Sequence, residues 1–438
     1  MHADKYYALK WLFPLLFFQI YLSISVALFY WGPWPWPVED PERLLLYLLV
    51  AQLSILAGYL LGGTLKRPST QPLDERKARR FFDICLVLSL IMVVPTSLTR
   101  SGSAIPDVLY GLQNAGKAYN DNFQRLLEGN PYVSAEYVRI LLSLLLTSTF
   151  PLLIYLWGQL TWLRRILGIF LALFNIALYI AIGTNKGIAD TFITLPFLLL
   201  LANWSGGIKF RLMRMRYLLL FCLAFALFLT FFAMGQKERA GNVGEAGYLP
   251  TGETLLFTDR QEGGYAQWMP KGVMIVYESL ARYLGQGYYA LSMSFDLESP
   301  STYGLGHSMF LSRNADTLLG TDYFTSNSLP AVLEKERKWS MMALWHSLYT
   351  WLASDLGHWG VMGAMFGFSF LLSVSWRRAL DRQGVVWVTM LYMMIILFYY
   401  TPANNQLFQV GETSAAFTLG VVWLMFSGDR IFLRRNPS

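Results

Sequence analysis

Long apolar blocks separated by short polar stretches organise this chain. The blocks fall at roughly 11–30, 44–63, 82–98, 140–157, 166–182, 188–204, 217–234, 359–376, 384–401 and 413–428. They are apolar all round rather than along one stripe, which distinguishes a membrane span from a helix lying on a soluble core. Their lengths approach the roughly 20 residues that a helix needs to cross about 30 Å of hydrocarbon. The pattern predicts an all-α, polytopic integral membrane protein of about ten spans, read as a single transmembrane domain over 1–438. The first block runs into Trp-Gly-Pro-Trp-Pro-Trp-Pro without a small-residue cleavage site, so it is expected to stay as a span.

An eleventh apolar run, MMALWHSLYTWLAS at 341–354, changes the topology if it is counted. Charge decides against counting it. Lys66, Arg67, Arg76, Lys77, Arg79 and Arg80 fill one inter-block segment, Arg164 and Arg165 a second, and Lys209, Arg211, Arg214 and Arg216 a third. Cytoplasmic loops collect Lys and Arg, so these segments are placed inside, together with both termini. An eleventh span would carry Arg377, Arg378, Arg382, Arg430, Arg434 and Arg435 outside. The run is therefore expected to be a half-buried, re-entrant or interfacial helix that begins and ends on the outer side.

Composition agrees with this picture. Hydrophobic residues make up 55% of the 438, and charged residues only 14%, too few for the surface of a soluble protein of this size. The net charge of +7 is accounted for by the inside loops, so no nucleic-acid partner is implied. Cys85 and Cys222 both sit in apolar blocks, and four His without a Cys/His cluster suggest no structural zinc. Glu39-Asp40 lies in a short Pro-rich loop with little room for a metal cage. No metal or cofactor is expected.

Two outer loops remain, 99–139 and the much longer 235–358. Loops of that length in a compact protein tend to be functional. Within the long one, 273–295 reads as an amphipathic helix interrupted by Gly285 and Gly287. Cations near the outer face could grip a phosphate: Lys186 in the turn AIGTNKGIAD, Lys237 and Arg239 after the seventh block, Arg282 and Arg313 further on. His346, in the half-buried run, could act as a neutral general base. Asp355 and Glu278 are reserve acid–base groups; Glu278 is also spaced i, i+4 from Arg282, which suits an ion pair. His307, in TYGLGHSMF, could line the same cavity, while His358 precedes a span and reads as interfacial. Tyr288 and Tyr289, with Tyr283 and Gln286, resemble a sugar-binding surface in which rings stack and the amide takes hydroxyls.

The succession RYLGQGYYALSMSF, TYGLGHSMF and WHSLYTWLASDLGHWGVMG before a span resembles Wzy-type oligosaccharide repeat-unit polymerases, and also the related O-antigen ligases. The resemblance covers the architecture of the whole chain and most of the long loop, on degenerate motifs. It implies a membrane glycosyltransferase of GT-C-like architecture in the bacterial inner membrane, independent of metal. Its substrates would be undecaprenyl-pyrophosphate-linked oligosaccharides, and a chain-length regulator is an implied partner beside the membrane lipids. Under that resemblance Lys186, Arg239 and Arg282 hold the pyrophosphate and His346 takes the proton. The ligase pattern has Asn after its His, whereas this chain has Ser347, which favours polymerase. A ligase and a lipid-linked oligosaccharide flippase stay open as alternatives, the last opposed by spans nearly free of charge and the lack of a repeat.

Overall fold

The computed structural model describes residues 2–65, 73–129, 131–208, 215–239, 248–251, 255–259 and 264–426. Among them are eighteen α-helices and one two-stranded antiparallel hairpin, Tyr248–Pro250 with Leu255–Phe257. This helical fold fits the expected all-α membrane class. Five helices are long and apolar enough to cross a membrane: Leu9–Trp31, Pro41–Thr64, Trp162–Ala181, Lys186–Trp204 and Leu348–Leu380. Two bent pairs raise this to seven, Glu75–Ile91 with Val93–Ser101 (50°) and Val133–Leu141 with Ser143–Tyr155 (63°). The other three predicted spans coincide with shorter apolar helices, Leu219–Gly235, Val385–Tyr400 and Gly411–Phe426.

The chain divides into two compact units, each assembled from distant segments. The first comprises Met1–Leu65, Gly244–Val374 and Met394–Ser414; the second comprises Lys66–Val243, Ser375–Met393 and Ala415–Ser438. In the first unit, helix His2–Trp31 packs on helix Lys271–Ser294. Ser25 and Tyr288 share a hydroxyl hydrogen bond at 2.8 Å, and Trp34 Nε1 donates to the Glu278 carbonyl at 2.8 Å. Trp34, Leu249, Ala281, Ala290, Leu333 and Trp339 form a buried cluster. The Pro-Trp repeat after the first span thus drives a tryptophan into a core.

Two expectations about the long loop change here. Helix Lys271–Ser294 runs unbroken through Gly285 and Gly287. The glycines serve close approach: a Cβ on Gly287 would lie 2.2 Å from the Pro402 carbonyl oxygen. The run 341–354 is helical only from Leu348, which begins a helix continuing to Leu380 across a kink at Gly357 (φ 65°, ψ 163°). Residues 341–347 are turn, bend and irregular chain, and Trp345 N is taken by the Gln286 side chain at 3.0 Å and not by a helical carbonyl.

In the second unit, hydroxyls tie helices together: Ser89 to Thr149 and Ser148 to Thr389, both at 2.8 Å, and Tyr155 to the Ala379 carbonyl at 2.7 Å. Arg164 grips Asp83 with two nitrogens, each at 2.7 Å. The loop 99–139 is built from short helices Val108–Gln113, Ala115–Glu128 and Val133–Leu141.

Small residues at helix contacts replace a hydrophobic drive that lipid cannot supply. Gly58 is such a contact: a Cβ there would lie 2.1 Å from the Phe366 carbonyl oxygen. Gly58→Ala is expected to lower stability by about 1–3 kcal/mol, the usual range for overpacking. Thermal unfolding of the detergent-solubilised protein, followed by size-exclusion chromatography, checks this; an unchanged midpoint counts against the contact.

Candidate functional site

Asp355 anchors a densely bonded turn in the first unit. Its carboxylate accepts from the Thr302 hydroxyl, from Gly304 N and Gly306 N at 3.1 Å, and from His307 N at 2.8 Å. The backbone achieves this because Tyr303 (φ 52°) and Gly304 (φ 85°) are both left-handed, which turns neighbouring N–H groups to one side. The same carboxylate lies 2.9 Å from His307 Nδ1. A carboxylate with this many donors is an acceptor, so Nδ1 carries a proton, and in the neutral tautomer of this ring Nε2 is the nitrogen with the lone pair.

The rest of His307 is fixed as well. Asn405 Nδ2 donates to its carbonyl at 2.7 Å, and the Phe408 ring stands edge-on at 5.2 Å. Ser308 Oγ donates to the Phe408 carbonyl, and Gln409 Oε1 accepts from Met309 N at 3.2 Å. Asp355 is 5% exposed and His307 is 23% exposed, so the acid is sealed while the imidazole reaches the surface. Among the described residues, His307 Nε2 has no hydrogen-bond partner.

His346 is placed differently from the expectation. It precedes the helix at Leu348 and is 1% exposed. Its Nε2 donates to the Ser340 carbonyl at 3.3 Å, while Nδ1 is buried without a hydrogen-bond partner among the described residues. Burial pushes the imidazole from its ordinary 6.5 down to about 4, against a smaller upward effect of the Ser340 bond. A sealed, weakly basic ring is poorly suited to take a proton from an arriving hydroxyl.

Other expected site residues are also accounted for by packing. Tyr288 is 1% exposed and bonded to Ser25, so it offers no face to a sugar. Gln286 is 4% exposed, with Oε1 occupied by Trp345 N. Glu278 is 3% exposed and accepts from the Tyr265 hydroxyl at 2.9 Å. In the folded chain these three are buried and bonded to neighbouring elements, where they were expected to face a substrate. Arg282 is half-buried, with its guanidinium 5.7 Å from the Tyr283 ring centroid, and Tyr283 meets Trp345 edge-on at 4.2 Å. Arg313 is exposed and reaches Met342 Sδ at 3.4 Å. His358 Nε2 is 3.0 Å from Ser294 Oγ, a structural contact. Lys237 and Arg239 lie in helix Met215–Arg239, and their side chains are outside the described residues. Tyr289 is half-buried between Trp36 and Trp339.

Lys186 belongs to the second unit, where its ammonium pairs with Asp190 at 2.9 Å. Near it, Arg100 donates to the Tyr179 hydroxyl at 2.7 Å and lies over that ring. Arg139, 5% exposed, donates to Thr99 Oγ1 at 2.9 Å. Asp190 puts a carboxylate inside a segment expected to be free of charge. The i, i+4 spacing of Lys186 and Asp190 was its only sign in the sequence. For Asn405 and Thr302 there was none, because their partners are 98 and 53 residues away.

No known protein family, no curated protein and no solved structure matches this chain. The geometry of its own residues therefore carries the functional argument.

Two measurements follow from these environments. The folded His346 imidazole is harder to protonate than the unfolded one, so its contribution to stability is complete above about 6.5 and is lost as pH falls toward about 4. Replacing His346 with Gln is expected to flatten the pH dependence of the melting temperature across that window; an unchanged slope argues against a buried neutral imidazole. Lys186→Met leaves Asp190 as an uncompensated carboxylate and should destabilise the protein strongly. Lys186→Met with Asp190→Leu should recover most of the loss, and equal losses in single and double variants would contradict the pairing.

Proposed function

We propose that the protein is a membrane glycosyltransferase that polymerises lipid-linked oligosaccharide repeat units. The observation that supports this best is the His307–Asp355 pair: an imidazole oriented through Nδ1 by a sealed carboxylate, with part of its side chain exposed. That arrangement is what a general base needs, since a fixed ring loses no orientation at the moment of proton transfer. His307 takes the role first assigned to His346, and Asp355 becomes the group that orients it.

In the proposed reaction an acceptor sugar hydroxyl attacks the anomeric carbon of the donor. The new carbon–oxygen bond forms as the bond to the lipid diphosphate breaks. The hydroxyl proton passes to His307 Nε2, and the diphosphate leaves with the electron pair. Arg282, in the same unit as His307, is the cation assigned to the departing charge. Lys186 is committed to Asp190, so its expected role on the diphosphate is not kept. The substrate class is undecaprenyl-pyrophosphate-linked oligosaccharide, taken from the sequence resemblance. The same reading puts ten spans, as three short apolar helices added to the seven, in the bacterial inner membrane, with both termini cytoplasmic and 235–358 periplasmic.

The test uses the purified full chain in liposomes with a lipid-linked repeat unit, read as a ladder on a gel. His307→Ala is expected to cut polymer formation by about 10²–10⁴-fold, the usual weight of a general base. Asp355→Asn should also lose activity and shift the pH profile, because an amide cannot hold the same tautomer. A His307→Ala protein that builds the normal ladder rules out this base. Single repeats transferred to another acceptor, without a ladder, would mean ligation.

A further inference from the structure

An open pocket of about 370 Å³ lies in the first unit, among the outer segments and separate from the bonds that fix His307. Small-molecule sites commonly hold about 300–1,000 Å³. Glu39, Tyr289, Ser292, Met293, Glu336 and Arg337 line it. Arg337 and Glu39 form an ion pair at 3.2 Å on its rim. The Tyr289 ring is fixed by Trp36 at 5.5 Å and Trp339 at 5.2 Å, and among the described residues its hydroxyl has no hydrogen-bond partner. Glu39 and Arg337 are near enough for both charges to act on that hydroxyl. Glu336 meets Lys335 only at 3.9 Å between exposed groups, a contact of little strength.

These groups share one chemistry. A fixed phenol, two carboxylates and a guanidinium offer directional donors and acceptors to adjacent hydroxyls, and Met293 offers an apolar surface to a ring's C–H face. A hydrophobic ligand would gain little from such walls. Two carboxylates against one guanidinium leave the lining net negative, which disfavours an anionic guest. We propose that this pocket binds one saccharide unit of the substrate glycan, neutral or amino-substituted, and discriminates against a uronic acid at that position. The assignment rests on the glycosyl-transfer reading, and it adds where a sugar is held and which kind.

The test separates binding from catalysis by using the full-length His307→Ala protein in nanodiscs. Three probes are titrated by calorimetry: chitotriose, its de-acetylated trimer, and trigalacturonate. The first two are expected to bind at least about tenfold more tightly than the third. Tyr289→Phe keeps the ring packing and removes the hydroxyl, and should weaken chitotriose about fivefold, the loss of one hydrogen bond. Glu336→Gln should narrow the gap between chitotriose and trigalacturonate. Equal affinity for all three probes, or unchanged affinities in both variants, overturns the pocket. If no probe binds while the wild-type chain builds a ladder, the pocket is wrong and polymerisation stands. If the probes bind as expected and wild type makes no polymer, the pocket stands and polymerisation falls.

Discussion

The carboxylate of Asp355 is the constraint on which the proposed site depends. It sits near the start of a long apolar helix with its side chain 5% exposed, so an ionised oxygen must find donors inside the protein. A turn around Thr302–His307 supplies them, with three backbone N–H groups, one hydroxyl and one imidazole nitrogen. Left-handed residues at Tyr303 and Gly304 cost conformational energy, and the convergent bonds offset it. The result is a loop with one shape and a histidine with one orientation. Asn405 and Phe408 close the same loop from the segment after Tyr400, so three distant stretches of chain fix a single ring.

The contrast between His307 and His346 shows how burial sorts residues of one type. Both imidazoles are hydrogen-bonded through one nitrogen and have the other without a partner among the described residues. One is sealed at 1% exposure, where desolvation holds it neutral; the other keeps 23% of its side chain accessible. Of the two, the second is the one open to a molecule arriving from outside. Gln286, Tyr288 and Glu278 follow His346: they are buried on helix Lys271–Ser294 and bond to Trp345, Ser25 and Tyr265.

Elsewhere the polar groups of the apolar helices serve assembly. Ser148 and Thr389, Ser89 and Thr149, and Tyr155 with Ala379 each satisfy one another across helices of the second unit. Gly58 performs the matching task in the first unit by letting backbones approach. Lys186 and Asp190 are the charged version of this rule. Each makes the other tolerable in an apolar segment, which leaves the lysine less available to a ligand.

The amino-acid pattern by itself determined the membrane class, since span length and freedom from charge are local properties read one block at a time. It also picked out the long segment 235–358 in which the candidate residues lie, and it brought Asp355, His307 and Tyr289 into view as single residues. Their roles were decided only in the folded chain. Asp355 meets His307 across 48 residues, Asn405 meets His307 across 98, and Arg337 meets Glu39 across 298. Helical periodicity reports neighbours within a turn or two and is silent at such separations. Burial is equally non-local: nothing in the run WHSLYT told that His346 would be sealed while His307 would reach the surface, because the groups that cover one and leave the other accessible come from elsewhere in the chain.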